Sequence, residues 1–262
     1  MKFTPSAVKV NIADGAGREA PVLAGFSWHR TWPFLLLAVP AFIVFAPVLF
    51  LGRVFADGDA LLILYPALHF LRQALLSGQS WLWTPGVLAG FPLAGGMVNM
   101  MLSPINVALL RVFDVFTAYH VLTAGNFILT GWFTYMFVRR LGLGRAAATF
   151  AGFVVPWSAI YVSFGSSLLV TNAYWTLPLL FWVALRLAEH PSARRTWWLL
   201  CSVGAAVVAF NFYSAHPQWL VQNLIAVFAW ALFLDIRSWR VETAIAGKWW
   251  ARSVALWFGA MV

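Results

Sequence analysis

The chain has 262 residues, of which 62% are hydrophobic and 10% are charged, and its mean hydropathy is +0.82. Soluble domains contain about 45–50% apolar and about 25% charged residues, so this chain cannot cover its own surface with polar groups in water. The composition excludes a soluble domain, a disordered protein and a disulfide-stapled scaffold, since Cys201 is the only cysteine. Lipid is therefore the predicted solvent for most of the chain.

Long apolar runs follow one another along the sequence. A helix needs about 20 mostly apolar residues to cross a hydrocarbon core of about 30 Å. Six runs come close to that length: Trp32–Leu51, Phe116–Val138, Ala146–Phe164, Asn172–Leu187, Thr196–Tyr213 and Pro217–Leu234. A seventh run, Ser253–Val262, is too short to span, so we expect the chain to be the N-terminal piece of a longer protein.

These runs predict an all-α polytopic membrane protein with about six complete transmembrane helices and a truncated seventh. Residues 1–30 form a predicted cytoplasmic segment, and residues 31–262 form the transmembrane domain, which is incomplete at its C-terminal end. The first span carries Pro33, Pro40 and Pro47, and prolines inside a helix predict a kink.

The basic residues predict the orientation of the helices. The chain carries 17 Lys and Arg residues against eight Asp and Glu. With the N-terminus in the cytoplasm, all basic residues except Arg53, Arg72 and Arg111 fall in predicted inside segments, as the positive-inside rule requires. We therefore predict a multi-pass protein of the cytoplasmic membrane with its N-terminus inside. The net charge of +9 reflects topology and contacts with membrane lipids, and we expect no nucleic-acid partner.

One predicted connection is much longer than the others. Residues 52–115 lie outside, between the first two predicted spans, and loops of this length are usually functional or disordered. The segment is too apolar for disorder, so we expect it to be ordered. A helical run over Ala60–Leu76 places His69 and Arg72 on one polar face. Met97–Phe113 is predicted to form a re-entrant or interfacial helix pair.

Two acidic residues, Asp57 and Asp59, stand directly after the first predicted span. A carboxylate at a bilayer surface is costly when it is buried without a partner, so it is usually solvated or functional. Either Asp57 and Asp59 cap a helix or bind water, with Asp59 placed to cap the helix that begins at Ala60, or one of the two carboxylates is a general base or a ligand of a divalent cation. HExxH, CxxC, GxGxxG and Gly-Lys-Ser are absent from the sequence, so zinc-protease, redox and nucleotide-binding functions have no support.

Several short motifs lie along this loop and near residue 216. They are Asp59, Tyr65-Pro66, Ser77-Gly78, Leu82-Trp83-Thr84-Pro85, Gly90-Phe91-Pro92, Ser103-Pro104 and Ala215-His216-Pro217-Gln218. Together they resemble the motifs of the YfhO-like family of bacterial membrane proteins. The kinked first span, the acidic residue at its outer end and the long helical loop also resemble the wider GT-C superfamily, whose members are membrane glycosyltransferases that use polyprenyl-phosphate sugars.

The resemblance implies a membrane glycosyltransferase that transfers a sugar from a polyprenyl-phosphate donor to an envelope acceptor on the outer face of the membrane. It implies that Asp59 is the catalytic base and that Asp57 is its helper. Some GT-C enzymes use a divalent metal ion, which Asp57 and Asp59 would hold here. The residues implied in binding the lipid-linked donor are Arg72, His69, Arg111, His216 and Gln218.

Two other functions stay open from the sequence. The first is a polytopic transporter or lipid flippase, in which the carboxylates and the kinked span would line a pathway. Transporters usually place charges in the middle of spans, and no Asp, Glu, Lys or Arg falls in the middle of a predicted span here. The second is a non-catalytic component of an envelope-assembly machine.

The predicted orientation has a direct test by thiol labelling in cells. Cys201 is replaced by alanine, and single cysteines are introduced at Ser80 and at Ser192 in separate variants. A membrane-impermeant thiol reagent added from outside is expected to modify the cysteine at position 80 and to spare the one at position 192. The reason is that the first lies in the predicted outer loop and the second in a predicted cytoplasmic turn. The reverse labelling pattern would contradict the orientation.

Overall fold

The structure is a computed structural model, and it describes residues 28–84, 90, 92, 100, 103–189 and 194–239. These residues form helices and no β-strand, so the predicted all-α fold is confirmed for them. The predicted N-terminal segment 1–30, apart from its last three residues, and the truncated seventh run Ser253–Val262 lie outside the described residues. So do the residues of the long loop between 85 and 102, apart from 90, 92 and 100.

The described residues fold into eleven helices. In chain order they are α1 (Trp28–Val44), α2 (Ala46–Phe50), α3 (Tyr65–Ser77), α4 (Pro104–Val112), α5 (Val115–Arg140), α6 (Arg145–Val154), α7 (Ala159–Ser163), α8 (Leu168–Tyr174), α9 (Thr176–Glu189), α10 (Arg194–Ser214) and α11 (Pro217–Trp239). A π-helical turn, Ala60–Leu64, leads directly into α3.

Six helical stretches among the described residues are long and apolar enough to cross a membrane. They are Ala60–Ser77, Val115–Arg140, Arg145–Ser163, Leu168–Glu189, Arg194–Ser214 and Pro217–Ile236. The last five correspond to predicted spans, and the chain is built as a multi-pass membrane protein.

The first predicted span, Trp32–Leu51, is interrupted. Helix α1 ends at Val44 and α2 begins at Ala46. Pro47 explains the break, because it has no N–H to donate and its ring collides with the carbonyl group of the residue four positions earlier. The uninterrupted apolar part, Thr31–Val44, is consequently shorter than the six long stretches. The predicted kink is present.

The helical stretch Ala60–Ser77, which comprises the π-helical turn and α3, also differs from the prediction. It is apolar enough to cross a membrane, although the sequence placed it in a loop. Its contacts fall at the beginning of α5. The rings of Tyr65 and Tyr119 lie 4.9 Å apart, and Arg72 Nε donates to the Phe113 carbonyl at 2.9 Å. The helix therefore runs antiparallel to α5, covers its first turns and continues past the residue at which α5 begins. It does not follow the 26-residue α5 to its other end.

Helix α4 is the described part of the predicted helix pair over Met97–Phe113. One helix, Pro104–Val112, is described in that range, and it packs against α3 and α5. Ser103 and Pro104 mark its start, since proline is well tolerated in the first turn of a helix. Residues 97–99 and 101–102 lie outside the described part of the chain.

Helices α1 and α5 are antiparallel. Near the start of α1, the Phe34 carbonyl accepts a hydrogen bond from Trp132 Nε1 at 2.8 Å, in the second half of α5. Just after α1, the ring of Phe45 packs on Phe127, closer to the start of α5, with centroids 5.0 Å apart. The end of α2 and the start of α5 therefore lie at the same end of the bundle.

The later helices also alternate in direction along the bundle. Arg140, at the end of α5, pairs with Glu189, at the end of α9, with an N–O distance of 2.5 Å. Tyr119, near the start of α5, donates through its hydroxyl to the Ser166 carbonyl and accepts from the Leu168 N–H at the start of α8. We call the end that holds Arg140 and Glu189 the lower end of the bundle, and the end at which α5 begins the upper end.

Arginines gather at the lower end. Among the described residues, the arginines of helix ends and turns at the lower end are Arg30, Arg139, Arg140, Arg145, Arg186, Arg194, Arg195 and Arg237, and those near the upper end are Arg53, Arg72 and Arg111. Glu189 contacts both Arg140 and Arg186. The charge asymmetry that the sequence predicts is thus an asymmetry between the two ends of the bundle, and the orientation of those ends in the cell stays a prediction.

Helices α5 and α6 approach each other closely where two glycines face. A Cβ atom added at Gly131 would lie 2.8 Å from the Gly152 carbonyl oxygen, and one added at Gly152 would lie 2.7 Å from the Gly131 carbonyl oxygen. Real Cβ atoms do not approach a backbone oxygen this closely. Small residues at such a crossing let two backbones pack directly against each other, which is a common way for helices to associate in membranes.

We expect Gly131→Ala to push α5 and α6 apart and to lower the free energy of unfolding by about 1–3 kcal/mol, the usual cost of overpacking. Gly125→Ala is the matched control on the same helix, because a Cβ atom there meets nothing within 4 Å. Alanine favours helix over glycine by about 1 kcal/mol, so the control is expected to be neutral or stabilising. Thermal unfolding of the purified protein in detergent measures both, and equal behaviour of the two variants would contradict the close crossing.

Candidate functional site

Asp57 and Asp59 lie at the upper end, between α2 and the turn that leads into α3. Asp57 Oδ1 accepts a hydrogen bond from the Ala60 N–H at 2.7 Å. Asp59 is exposed, has helical backbone angles and makes no capping bond. The prediction that Asp59 caps this helix is therefore wrong: helical geometry starts before Asp59, so the carboxylate of Asp57 is the one that reaches the free N–H groups of the first turn.

The second carboxylate oxygen of Asp57 is unpaired. Oδ2 is buried and has no hydrogen-bond partner among the described residues. Buried polar atoms are nearly always hydrogen-bonded, because leaving one unpaired costs about 1–3 kcal/mol and more for a charged group. An oxygen in this position is suited to accept a proton or a hydrogen bond from a ligand, or to bind a cation.

Aromatic rings from α5 and its neighbours border the carboxylates. The Tyr119 ring packs on Tyr65 and on Phe55, with centroids 4.9 and 6.2 Å away. Tyr119 also lies within electrostatic reach of Asp57 and Asp59. The rings exclude water from one side of the acidic pair, and charges interact more strongly where water is excluded.

His120 is a buried residue that the sequence reading did not select. Its Nε2 lies 3.5 Å from the Tyr65 hydroxyl, and its ring packs edge-on against Phe55. His120 therefore connects α5 to α3 and to the segment before α3 that contains the acidic pair. The sequence signal was a histidine one residue after a tyrosine at the start of a span, and such a histidine is usually structural.

The predicted polar face on α3 is present. His69 Nε2 lies 3.0 Å from Gln73 Nε2, one helical turn away, and both side chains are exposed. Arg72 is held by the carbonyl of Phe113, two residues beyond the exposed Arg111. These contacts bring two of the predicted cations, Arg72 and Arg111, to the same part of the upper end.

The other predicted binding residues, His216 and Gln218, lie in the turn between α10 and α11. His216 Nδ1 accepts a hydrogen bond from the Gln218 N–H at 3.3 Å, and the His216 N–H donates to the Leu169 carbonyl at 2.9 Å. This turn belongs to the upper end because Leu168, next to Leu169, binds the Tyr119 hydroxyl. No described contact joins His216 or Gln218 to either carboxylate.

The acidic pair could hold a magnesium ion only as a site with two protein ligands. In the part of the chain that the structure describes, no group of three or more His, Cys, Asp and Glu side chains comes together. Mg²⁺, however, is often held by one or two carboxylates, with water and substrate phosphate as its other ligands. The unpaired Oδ2 of Asp57 and the exposed carboxylate of Asp59 are the two groups that could serve as such ligands.

Buried amides form a polar network inside the bundle that the sequence reading missed. Asn126 of α5 donates to Asn172 Oδ1 at 2.8 Å and to Thr171 Oγ1 at 3.3 Å, both on α8. Asn172 in turn donates to the Ser214 carbonyl, at the end of α10, at 2.6 Å. Asparagines within apolar runs were the available signal, since an amide in a span needs a partner on another helix.

A second part of the network stabilises the break between α8 and α9. Pro178 lacks an N–H, and the helix is interrupted near Trp175. The Ala173 carbonyl accepts from Thr176 Oγ1 at 2.7 Å and from Asn223 Nδ2 at 3.1 Å. Side chains thus satisfy a main-chain group that water cannot reach.

Asp114 is the third acidic residue at the upper end, and it is the N-cap of α5. Its Oδ1 accepts from the N–H groups of Phe116 and Thr117, each at 3.0 Å, and its Oδ2 accepts from the Thr117 hydroxyl at 2.5 Å. These bonds, above all the one from the Thr117 hydroxyl, hold the pKa of Asp114 below its usual range. The sequence gives Asp114 no catalytic role, and its geometry agrees with a structural one.

Comparisons with protein-family models, with curated proteins and with solved structures find no match for this chain. The YfhO-like and GT-C resemblance consequently stays a prediction from the sequence motifs.

The cap predicts a specific dependence of stability on pH. The pKa of Asp114 is lower in the folded protein than in the unfolded chain, so its contribution is complete above about pH 4 and is lost as the pH falls through the folded-state pKa. We expect Asp114→Ala to lower the free energy of unfolding by about 0.5–2 kcal/mol near neutral pH. The difference from the wild type should shrink in acid.

Asp114→Asn is the control, because asparagine still accepts hydrogen bonds at an N-cap but does not titrate in this range. Unfolding in detergent at a series of pH values distinguishes the three proteins. A difference between the wild type and Asp114→Ala that stayed constant down to pH 2 would rule out the ionised cap.

Proposed function

We propose that this chain is the membrane-embedded part of a glycosyltransferase-like protein that moves a sugar from a polyprenyl-phosphate donor to an acceptor hydroxyl at the upper end of the bundle. The observation that carries the proposal is the pair Asp57 and Asp59, of which one has a buried, unpaired carboxylate oxygen and the other is exposed. A general base must lie within hydrogen-bond reach of the proton it removes, and the exposed Asp59 is open to a substrate.

In the proposed reaction, Asp59 accepts the proton of the acceptor hydroxyl. The acceptor oxygen forms a bond to the anomeric carbon of the sugar, while the bond from that carbon to the phosphate oxygen breaks and the lipid phosphate leaves with the electron pair. Asp57 positions the turn that carries Asp59, since its Oδ1 is bound to the Ala60 N–H. A divalent cation held by Asp57 and Asp59 would offset the negative charge of the phosphate.

Arg72 and Arg111 support the leaving-group part of the proposal. The Phe113 carbonyl fixes Arg72 through its Nε and lies two residues from Arg111. Among the described residues neither arginine forms a salt bridge. Guanidinium groups bind phosphate oxygens through charge-assisted hydrogen bonds, so these two side chains are the proposed partners of the departing phosphate.

The proposed location of the reaction is the outer face of the cytoplasmic membrane, with the N-terminus inside. The excess of arginines at the lower end supports this orientation through the positive-inside rule. In the same orientation the upper end, with the acidic pair, faces outward.

A transporter or flippase is the alternative of a different class, and a non-catalytic assembly component is another. Ion-coupled transport generally uses charged groups in the middle of spans. The buried network at the centre of the described bundle is instead made of neutral asparagine, threonine and serine side chains. This observation favours the enzyme over an ion-coupled transporter.

Asp59→Asn tests the proposal in membranes that contain the full-length protein and its lipid-linked sugar donor. The carboxamide cannot accept the proton, and a general base contributes about 10²–10⁴-fold to a rate. We therefore expect sugar transfer to fall at least a hundredfold, with expression and thermal stability close to those of the wild type, because Asp59 makes no capping bond.

Asp114→Asn is the matched control, because it changes another carboxylate at the upper end that has a structural role. This variant should keep its transfer activity. Full activity in both Asp57→Asn and Asp59→Asn would remove the acidic pair from the mechanism and leave the transporter or the assembly component as the better explanation.

A further inference from the structure

Helix α11 carries one amide side chain that faces the bundle and one that faces away from it. Asn223 is 6% exposed, and its Nδ2 donates to the Ala173 carbonyl at 3.1 Å and to Thr176 Oγ1 at 3.0 Å. Gln222, the residue before it, is exposed, and its side chain makes no hydrogen bond to another described residue. One amide of this helix is therefore paired inside the bundle, and the other is open.

The exposed face around Gln222 is otherwise apolar. Its residues recur at spacings of three and four, and we call them the α11 outer face: Val221, Gln222, Ile225, Ala229, Leu232 and Phe233. Val221 is 54% exposed and Ile225 is 64% exposed. The sequence has no Asp, Glu, Lys or Arg between Pro217 and Leu234. This face is thus compatible with lipid everywhere except at Gln222.

Gln222 lies within the candidate membrane span Pro217–Ile236. Five residues separate it from the start of α11 at Pro217. At a rise of about 1.5 Å per residue, its Cα atom is about 7.5 Å from the start of the helix. Hydrocarbon offers neither a donor nor an acceptor to an amide, and Gln side chains in spans hydrogen-bond to neighbouring helices instead. The position of Gln222 therefore indicates a partner helix outside this bundle.

A second copy of this chain provides such a partner by symmetry. Copies inserted into one membrane share the same orientation, so the twofold axis of a dimer lies along the membrane normal and each residue meets its own counterpart at equal depth. A polar group near that axis must be complementary to itself. The amide of Gln222 satisfies this condition because it both donates and accepts, and its apolar neighbours carry no charge that would repel the copy.

We propose that the α11 outer face is the interface of a homodimer, in which Gln222 exchanges hydrogen bonds with the partner's Gln222 inside the membrane. Ala229, two turns further along the same face, is small and lets the two helices approach closely. Helix α11 packs on α8, α9 and α10, so this interface is separate from Asp57 and Asp59. The inference does not depend on the proposed transfer reaction.

Disulfide cross-linking in membranes tests the interface. In a Cys201→Ala background, Ile225→Cys places a thiol one turn from Gln222 on the α11 outer face, and we expect oxidation to give a covalent dimer of this chain. Phe150→Cys is the matched control. Phe150 is 69% exposed, as Ile225 is 64% exposed, but it belongs to α6, which packs on α1 and α5.

Random encounters in the membrane would join both thiols equally well, whereas the proposed dimer joins only the thiol at position 225. Equal cross-linking at the two positions would overturn the interface. A cross-link from Ile225→Cys to a different protein, without any covalent dimer, would show that the second copy is the wrong occupant of this face.

Gln222→Leu tests the amide itself. Leucine keeps most of the bulk and is compatible with lipid, so helix content and thermal stability should stay close to those of the wild type. Energy transfer between two labelled populations, measured in liposomes of increasing lipid content, gives the dissociation constant of the dimer. We expect this constant to rise about fivefold or more, because the interhelical hydrogen bonds are lost.

Gln222→Asn keeps an amide at the same position, so its dimer should be more stable than that of Gln222→Leu. A wild-type protein that is monomeric at every lipid content would overturn the homodimer. A dimer that is equally stable in the wild type and in Gln222→Leu would overturn the role of Gln222 in it.

Discussion

Helix breaks inside an apolar bundle leave main-chain carbonyl groups that water cannot reach, and the fold depends on side chains from other helices to satisfy them. Asn223 and Thr176 bind the Ala173 carbonyl at the break between α8 and α9, and Asn172 binds the Ser214 carbonyl at the end of α10. The bonds from Asn223 and from Asn172 each join two elements that are distant in sequence. The same interactions that satisfy the backbone therefore also determine which helices are neighbours.

The position of the acidic pair follows from these bonds. His120 on α5 packs against Phe55 and approaches the hydroxyl of Tyr65, and the chain between Phe55 and Tyr65 contains Asp57 and Asp59. A short segment held at both ends has little freedom, so two carboxylates that need a defined geometry sit on a backbone that provides it. The acidic residues of the proposed reaction thus lie on a segment that packs against neutral and aromatic side chains.

Features that depend on composition were predictable from the sequence. The apolar runs gave the long helices from Val115 to the end of α11, Pro47 gave the kink, and the basic residues gave the asymmetry between the two ends. Features that depend on which residues of different helices are partners could not be predicted. The partner of Asn126 lies on another helix, and no pattern near Asn126 identifies it. Asp59 was the predicted cap because it directly precedes Ala60, but the helix starts two residues earlier, and the role falls to Asp57.

The close crossing of α5 and α6 has a consequence for the order of assembly during synthesis. The two helices are adjacent in sequence, and their contact at Gly131 and Gly152 needs no later part of the chain. They can therefore associate as soon as both have entered the lipid. The partners of Asn126, however, lie on α8 and are made later. Until α8 is made, the amide of Asn126 in the newly inserted pair has no partner on α8. The cost of an unpaired amide in the bilayer then favours the binding of α8 to the pair.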